Sequence, residues 1–117
     1  MNRSQLYIHI KQTYDTDPEL LWQKYPNYAV FRHYDNHKWY AIVMDVPRSA
    51  VGLTGKGAVD VLNLKLDPSL IDDLRTRPGF APGYHMNKMH WVSIVLDGLV
   101  ADEEIVSLLD MSYQATR

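Results

Sequence analysis

The sequence predicts a single α+β domain, a two-layer fold with a mainly antiparallel five-stranded sheet and helices on one face, in the order α-β-β-β-α-β-β-α. Three observations predict it. Residues 59–66 and 90–96 alternate with the two-residue period of a strand that has two different faces. Apolar side chains recur at helical spacing near both ends, as Leu6, Ile10 and Tyr14 and as Ile105, Leu108, Leu109 and Ser112. Strand-like segments come in runs broken by single helices, a pattern that favours hairpin connections over parallel crossovers.

Taken in order, the first helix carries Leu6, Ile10 and Tyr14, with Ser4 placed to cap its first turn. Asp17-Pro18-Glu19 predicts a second short helix, since it offers a cap, a proline for the first turn and an acid at the positive end of the dipole; Pro26 would stop it. Tyr28 to His33 and Lys38 to Val46 are rich in aromatic and β-branched residues, and the turn material at 34–37 joins them as a hairpin. Pro47 to Ala58 holds Gly52, Gly55 and Gly57 and reads as a long connection; its Gly-Leu-Thr-Gly-Lys-Gly lacks the spacing of a phosphate-binding loop.

In the third strand, Val59 to Leu66, Leu62, Leu64 and Leu66 point one way while Val61, Asn63 and Lys65 point the other, so one face is expected buried and one wet. Asp67-Pro68 starts a helix carried by Leu70, Ile71 and Leu74 and ended by Pro78-Gly79. A short extended piece follows near Tyr84 to Met86. In the strand from His90 to Leu96, Val92, Ile94 and Leu96 alternate with Trp91, Ser93 and Val95. The last helix starts at Asp102, with Glu103 and Glu104 in its first turn and Val106 and Tyr113 at the margin of its buried face.

Composition narrows the function. The chain has 117 residues, enough for one core without staples. It has no cysteine, which excludes disulfides, thiolate nucleophiles and Cys-ligated zinc. The longest apolar run, Trp39 to Met44, is far short of a membrane span, and the N-terminus lacks a signal-peptide core, so a cytoplasmic protein with no membrane partner is expected. Net charge is −2 but unevenly spread. Residues 28–91 carry eight basic against six acidic groups plus four histidines, whereas residues 92–117 carry one basic against five acidic. Any attraction for anions must come from the middle of the chain.

Several segments together resemble the MmcQ/YjbR family of small bacterial proteins: Val30-Phe31-Arg32-His33, Lys38-Trp39-Tyr40-Ala41, Leu62-Asn63-Leu64-Lys65, Gly83-Tyr84-His85-Met86-Asn87-Lys88, His90-Trp91, Leu96-Asp97-Gly98 and Ser112-Tyr113. The resemblance runs over nearly the whole chain in order. It implies a secretion-chaperone-like two-layer fold and a DNA-binding role of a double-wing kind, and it brings no catalytic residues with it.

If helices cover the leucine face, alternation puts Asn63, Lys65, Trp91 and Ser93 on the open face, and Trp39 joins them if Tyr40, Ile42 and Met44 point inward. Indoles beside cations and amides are what nucleic-acid surfaces use to stack bases and meet phosphates. The same alternation also fits indoles that only cover the sheet beneath a loop. The stretch Gly83 to Gly98 crowds Tyr84, His85, Asn87, Lys88, His90 and Trp91 at a strand entrance, where a glycine corner lets backbone approach a ligand. Asn87 is equally a turn residue and Lys88 equally a solvated charge. The candidate nucleic-acid-binding set is thus Arg32, Lys38, Lys65, Tyr84, His85, Asn87, Lys88, His90 and Trp91. No enzyme activity, metal or organic cofactor is expected: His33 and His37 flank a turn, and no carboxylate accompanies His85 and His90. The expected partner is double-stranded DNA bound weakly, with a protein or peptide as the alternative, on a monomer or weak homodimer.

Overall fold

The computed structural model describes all 117 residues and contains helix α1 (Arg3–Tyr14), strands β1 (Ala29–Arg32) and β2 (Trp39–Pro47), a 3₁₀ turn (Arg48–Val51), β3 (Ala58–Lys65), α2 (Pro68–Leu74), β4 (Phe80–Pro82), β5 (Trp91–Val95) and α3 (Asp102–Ala115). The five strands form one antiparallel sheet in the order β1-β2-β3-β5-β4. Fold class and element order are those the sequence predicts.

All three helices pack on the same face. Leu6 and Ile10 of α1, Ile71 and Leu74 of α2, and Ile105, Leu108 and Leu109 of α3 bury against Leu62, Leu64, Val92, Ile94 and Leu96. Ser112 of α3 is buried too, its hydroxyl donating to Tyr40 O at 2.6 Å and accepting from Lys65 N at 3.0 Å, so the helix is latched to two strands.

Local corrections have physical causes. Asn2, not Ser4, caps α1: its side chain accepts from Gln5 N while the Gln5 side chain accepts from Asn2 N, a reciprocal capping box. Asp17-Pro18-Glu19 forms no helix, because Glu19 pairs with Val30 in an isolated antiparallel bridge and extends the sheet edge instead. α2 is capped by Asp67 as expected, but ends at Leu74, short of Pro78-Gly79. The short strand is Phe80–Pro82, while residues 84–86 belong to a turn.

The largest correction concerns the second sheet face, which is not open. A smaller core of Tyr28, Val30, Ile42, Met44, Val46, Val61, Trp91 and Val95 fills it, with Trp22, Trp39, Val51, Leu53, Val59, Tyr84 and Met86 packed at its edge. A β-bulge explains why the alternation of β2 misleads. Phe31 pairs with Ala41 and Arg32 with Trp39, so Tyr40 is the extra residue, and both Tyr40 and Ala41 turn toward the helices. Ile42 and Met44 thereby face the second side, against expectation, and Trp39 shares that side with them because of the bulge rather than through an inward-pointing Ile42 and Met44. The cover comes from irregular chain, residues 19–28 on one flank and 83–90 on the other. Arg3 holds the first of these by donating to Asn27 O, while its guanidinium also bridges to Asp60 at 2.9 and 3.1 Å.

Candidate aromatic cleft on the second sheet face

Register brings three of the sequence candidates, together with Trp39, into line across the second face. Arg32 pairs with Trp39 and Lys65 pairs with Trp91, at the end of the sheet where Ala41 opposes Leu64. Their states differ. Arg32 is held by Glu19 in a two-point ion pair at 2.7 and 2.8 Å, which neutralises it. Lys65 is exposed and makes no ion pair, and the same is true of Lys38 in the hairpin turn and of Lys24 beside Tyr25. Trp91 is only 8% exposed and belongs to the smaller core, so its indole covers the sheet rather than presenting a stacking platform.

The 84–91 candidates are brought together, but mostly by one another. The Asn87 side chain accepts from Met89 N at 2.9 Å and its backbone oxygen accepts from His90 N and Trp91 N, which makes it the turn residue of the segment. The Lys88 ammonium donates to Gly83 O at 3.1 Å. His90 is exposed at the surface. Gly83 is obligatory here, since a Cβ would lie 2.8 Å from the Trp91 backbone oxygen.

Beneath the turn, a buried polar network ties it to the sheet. Ser93 Oγ donates to Asn63 Oδ1 and accepts from Tyr84 N at 3.0 Å, while Asn63 Nδ2 reaches Tyr84 O at 3.3 Å and the Met44 sulfur at 3.5 Å. Asn63 and Ser93, both fully buried, therefore fix the loop and do not meet a ligand.

Between the two covering segments lies a cleft of about 300 Å³ lined by Trp22, Tyr25, Tyr28, Trp39, Met44, His85 and Met86. Its walls are aromatic. Tyr25 and Tyr28 stack at 4.7 Å, and Trp22 meets Tyr28 and Trp39 edge-on at 5.9 and 5.8 Å. His85 enters with φ 57°, a left-handed conformation that costs about 1–2 kcal/mol outside glycine, and packs on the Tyr84 ring at 4.1 Å. Burial, with Tyr84, Tyr25 and Asp45 nearby, pushes the Tyr28 phenol upward, so it stays neutral at physiological pH. Sequence reading missed Trp22, Tyr25 and Tyr28 as site residues. Their signal was the aromatic density of 22–28, masked by the helix expected there.

A second cavity of about 280 Å³ opens on the helix-covered side of the β1–β2 hairpin, lined by Tyr14, Thr16, His33, Tyr34, Asp35, Tyr113 and Arg117. His33 is buried, with Nε2 2.8 Å from Thr116 Oγ1. Tyr14 stacks on Tyr113 at 4.1 Å, and the Tyr40 ring packs against both and against His33, its hydroxyl fully buried without a partner. No three His, Asp or Glu side chains converge in a metal-binding group, and no helix is long and apolar enough to cross a membrane.

Against known proteins, the YjbR family model matches residues 11–115. The uncharacterized protein YyaQ of Bacillus subtilis is 44% identical over 117 residues, all of this chain and 99% of that one. The uncharacterized protein YjbR of Escherichia coli K12 is 41% identical over 54 residues, 45% of this chain and 46% of that one. A crystal structure of a Pseudomonas syringae protein superposes with a TM-score of 0.98 at 49% identity, covering the whole of both chains.

Proposed function

The chain belongs to the YjbR family, and on that premise we propose that it is a nucleic-acid-binding module working through the second face of its sheet. The observation that carries the reading is the aromatic cleft lying on the face where Lys65 emerges unpaired, with Lys24 and Lys38 beside its aromatic walls in sequence. Aromatic surface next to free cations can accept base faces and phosphates together. The neutralised Arg32 and the buried Trp91 drop out of the binding surface. His85 lines the cleft, Tyr84 flanks it, and Asn87, Lys88 and His90 shape the loop over it.

With Lys24, Lys38 and Lys65 as the unpaired cations of the proposed surface, affinity falls in the weak range of about 10⁻⁴ to 10⁻⁶ M at physiological salt. The test is titration with nucleic acid at two salt concentrations, for the native protein and for Lys38→Ala/Lys65→Ala. Removing one lysine–phosphate pairing flattens the log-log salt slope by about 0.9 unit on duplex or about 0.7 on single strands. An unchanged affinity and slope in the double variant removes these lysines from the site; no binding at low salt removes nucleic acid as the ligand. A second reading, docking of a protein or peptide on the same face, is favoured by exposed Leu20, Leu21 and Tyr25 in the segment that forms one cleft wall. It predicts binding that added salt hardly weakens, since apolar burial carries it.

A further inference from the structure

We propose that the nucleic acid this face takes is single-stranded, with one unstacked base seated in the cleft between Trp22, Tyr25 and Trp39, over the buried Tyr28 at its floor. The inference rests on the nucleic-acid reading above and specifies its ligand. In duplex DNA the base faces are hidden in the stack, and only edges rich in donors and acceptors reach the grooves. The cleft offers those edges little: its walls are mainly ring and methionine surface, with the indole N–H, phenol and imidazole groups as their polar atoms, and the buried amide of Asn63 and hydroxyl of Ser93 are spent on the Tyr84 loop. What it does offer is ring surface in a recess, which gains from a flat π-system and not from a phosphate ridge.

Charge selects the same ligand. An aromatic recess also attracts organic cations when its surroundings are acidic. Here the Glu19 carboxylate is consumed by Arg32, and Asp45, bonded only to the neutral Asn27 amide, is outnumbered by Lys24, Lys38 and Lys65, which make no ion pair. A ligand pairing an exposed ring with anionic groups fits; a methylated ammonium does not. The duplex alternative needs a row of cations, and ion pairing of Arg32 interrupts the row that register would have made.

The measurement is tryptophan fluorescence at low salt, titrating with a non-self-pairing single strand of roughly 12 nucleotides and with its duplex. The proposal expects the single strand to quench emission and to bind about tenfold tighter or more than the duplex, one base's worth of stacking. Tyr25→Ala, at a residue 45% exposed, is expected to erase most of that preference while thermal unfolding of the variant stays native-like. If the substitution disturbs folding, Trp39→Phe, which keeps a ring, serves instead and is expected to weaken the single strand selectively. Duplex bound as tightly as single strand, with the lysine variant still weaker, overturns this inference and leaves the broader reading standing. Failure of both ligands to bind overturns both.

Discussion

Asn63 shows how far one side chain can differ from its apparent place in a sequence pattern. Alternation assigns it to the second face, correctly, but that face is covered, and the amide becomes the fully buried centre of a network joining β3, β5 and the Tyr84 turn. Asn63→Ala should destabilise the protein by about 1–3 kcal/mol in urea unfolding, because the Ser93 hydroxyl and Tyr84 carbonyl lose partners that water does not replace. His33 is the second informative residue. Burial is the main cause that lowers its pKa, opposed by Asp35 and a hydrogen bond to the Tyr113 backbone and reinforced by Arg117 and Lys38. The unfolded chain therefore binds the proton more readily than the native one. Stability supplied by neutral His33 is complete above the unfolded value of about 6.5 and is lost as pH falls through the lower folded value. Unfolding free energy measured between neutral and mildly acidic pH should fall with pH, and His33→Gln should flatten that dependence.

At the scale of elements, the helix-facing core is firmly placed by period alone. Leu64 lies in the central strand β3 beneath α3, fully buried; Leu64→Ala should cost about 2–5 kcal/mol, read from the denaturant midpoint. The strict alternation of 59–66 and 90–96 made these strands legible, and so did the 3.6-residue recurrence in α3, whose Ile105, Leu108, Leu109 and Ser112 are all buried. Elements decided by long-range pairing were not legible. Nothing local in Asp17-Pro18-Glu19 announces that Glu19 will bridge to Val30, and nothing in Lys38 to Ala41 announces that Tyr40 is a bulge residue. The aromatic cleft was half legible for the same reason. Trp39 and His85 were visible from strand pattern and loop composition, whereas Trp22, Tyr25 and Tyr28 join them only through a segment that folds back over the sheet.

For the whole molecule, the two layers differ in charge as well as in cover. The acidic C-terminal portion forms α3, with Asp102, Glu103 and Glu104 in its first turn, on the helical side; Lys65 emerges on the other. Asp102 is paired with the N-terminus and Glu104 with Arg77, so Glu103 and Asp110 are the acids that α3 leaves without an ion pair; on the proposed reading they would turn a polyanion from the helices toward the cleft, an orientation that salt would weaken. The central claim, that nucleic acid meets the second sheet face at its aromatic cleft, is most directly tested by amide and indole N–H chemical-shift mapping with a short single strand at low salt. The chain has three tryptophans, so their indole signals can be followed individually. The account predicts the largest shifts at the indoles of Trp22 and Trp39 and at the amides around Tyr25, Lys65 and His85, with α1 and α3 unmoved. Shifts confined to the helical layer, or none at saturating ligand, would contradict it.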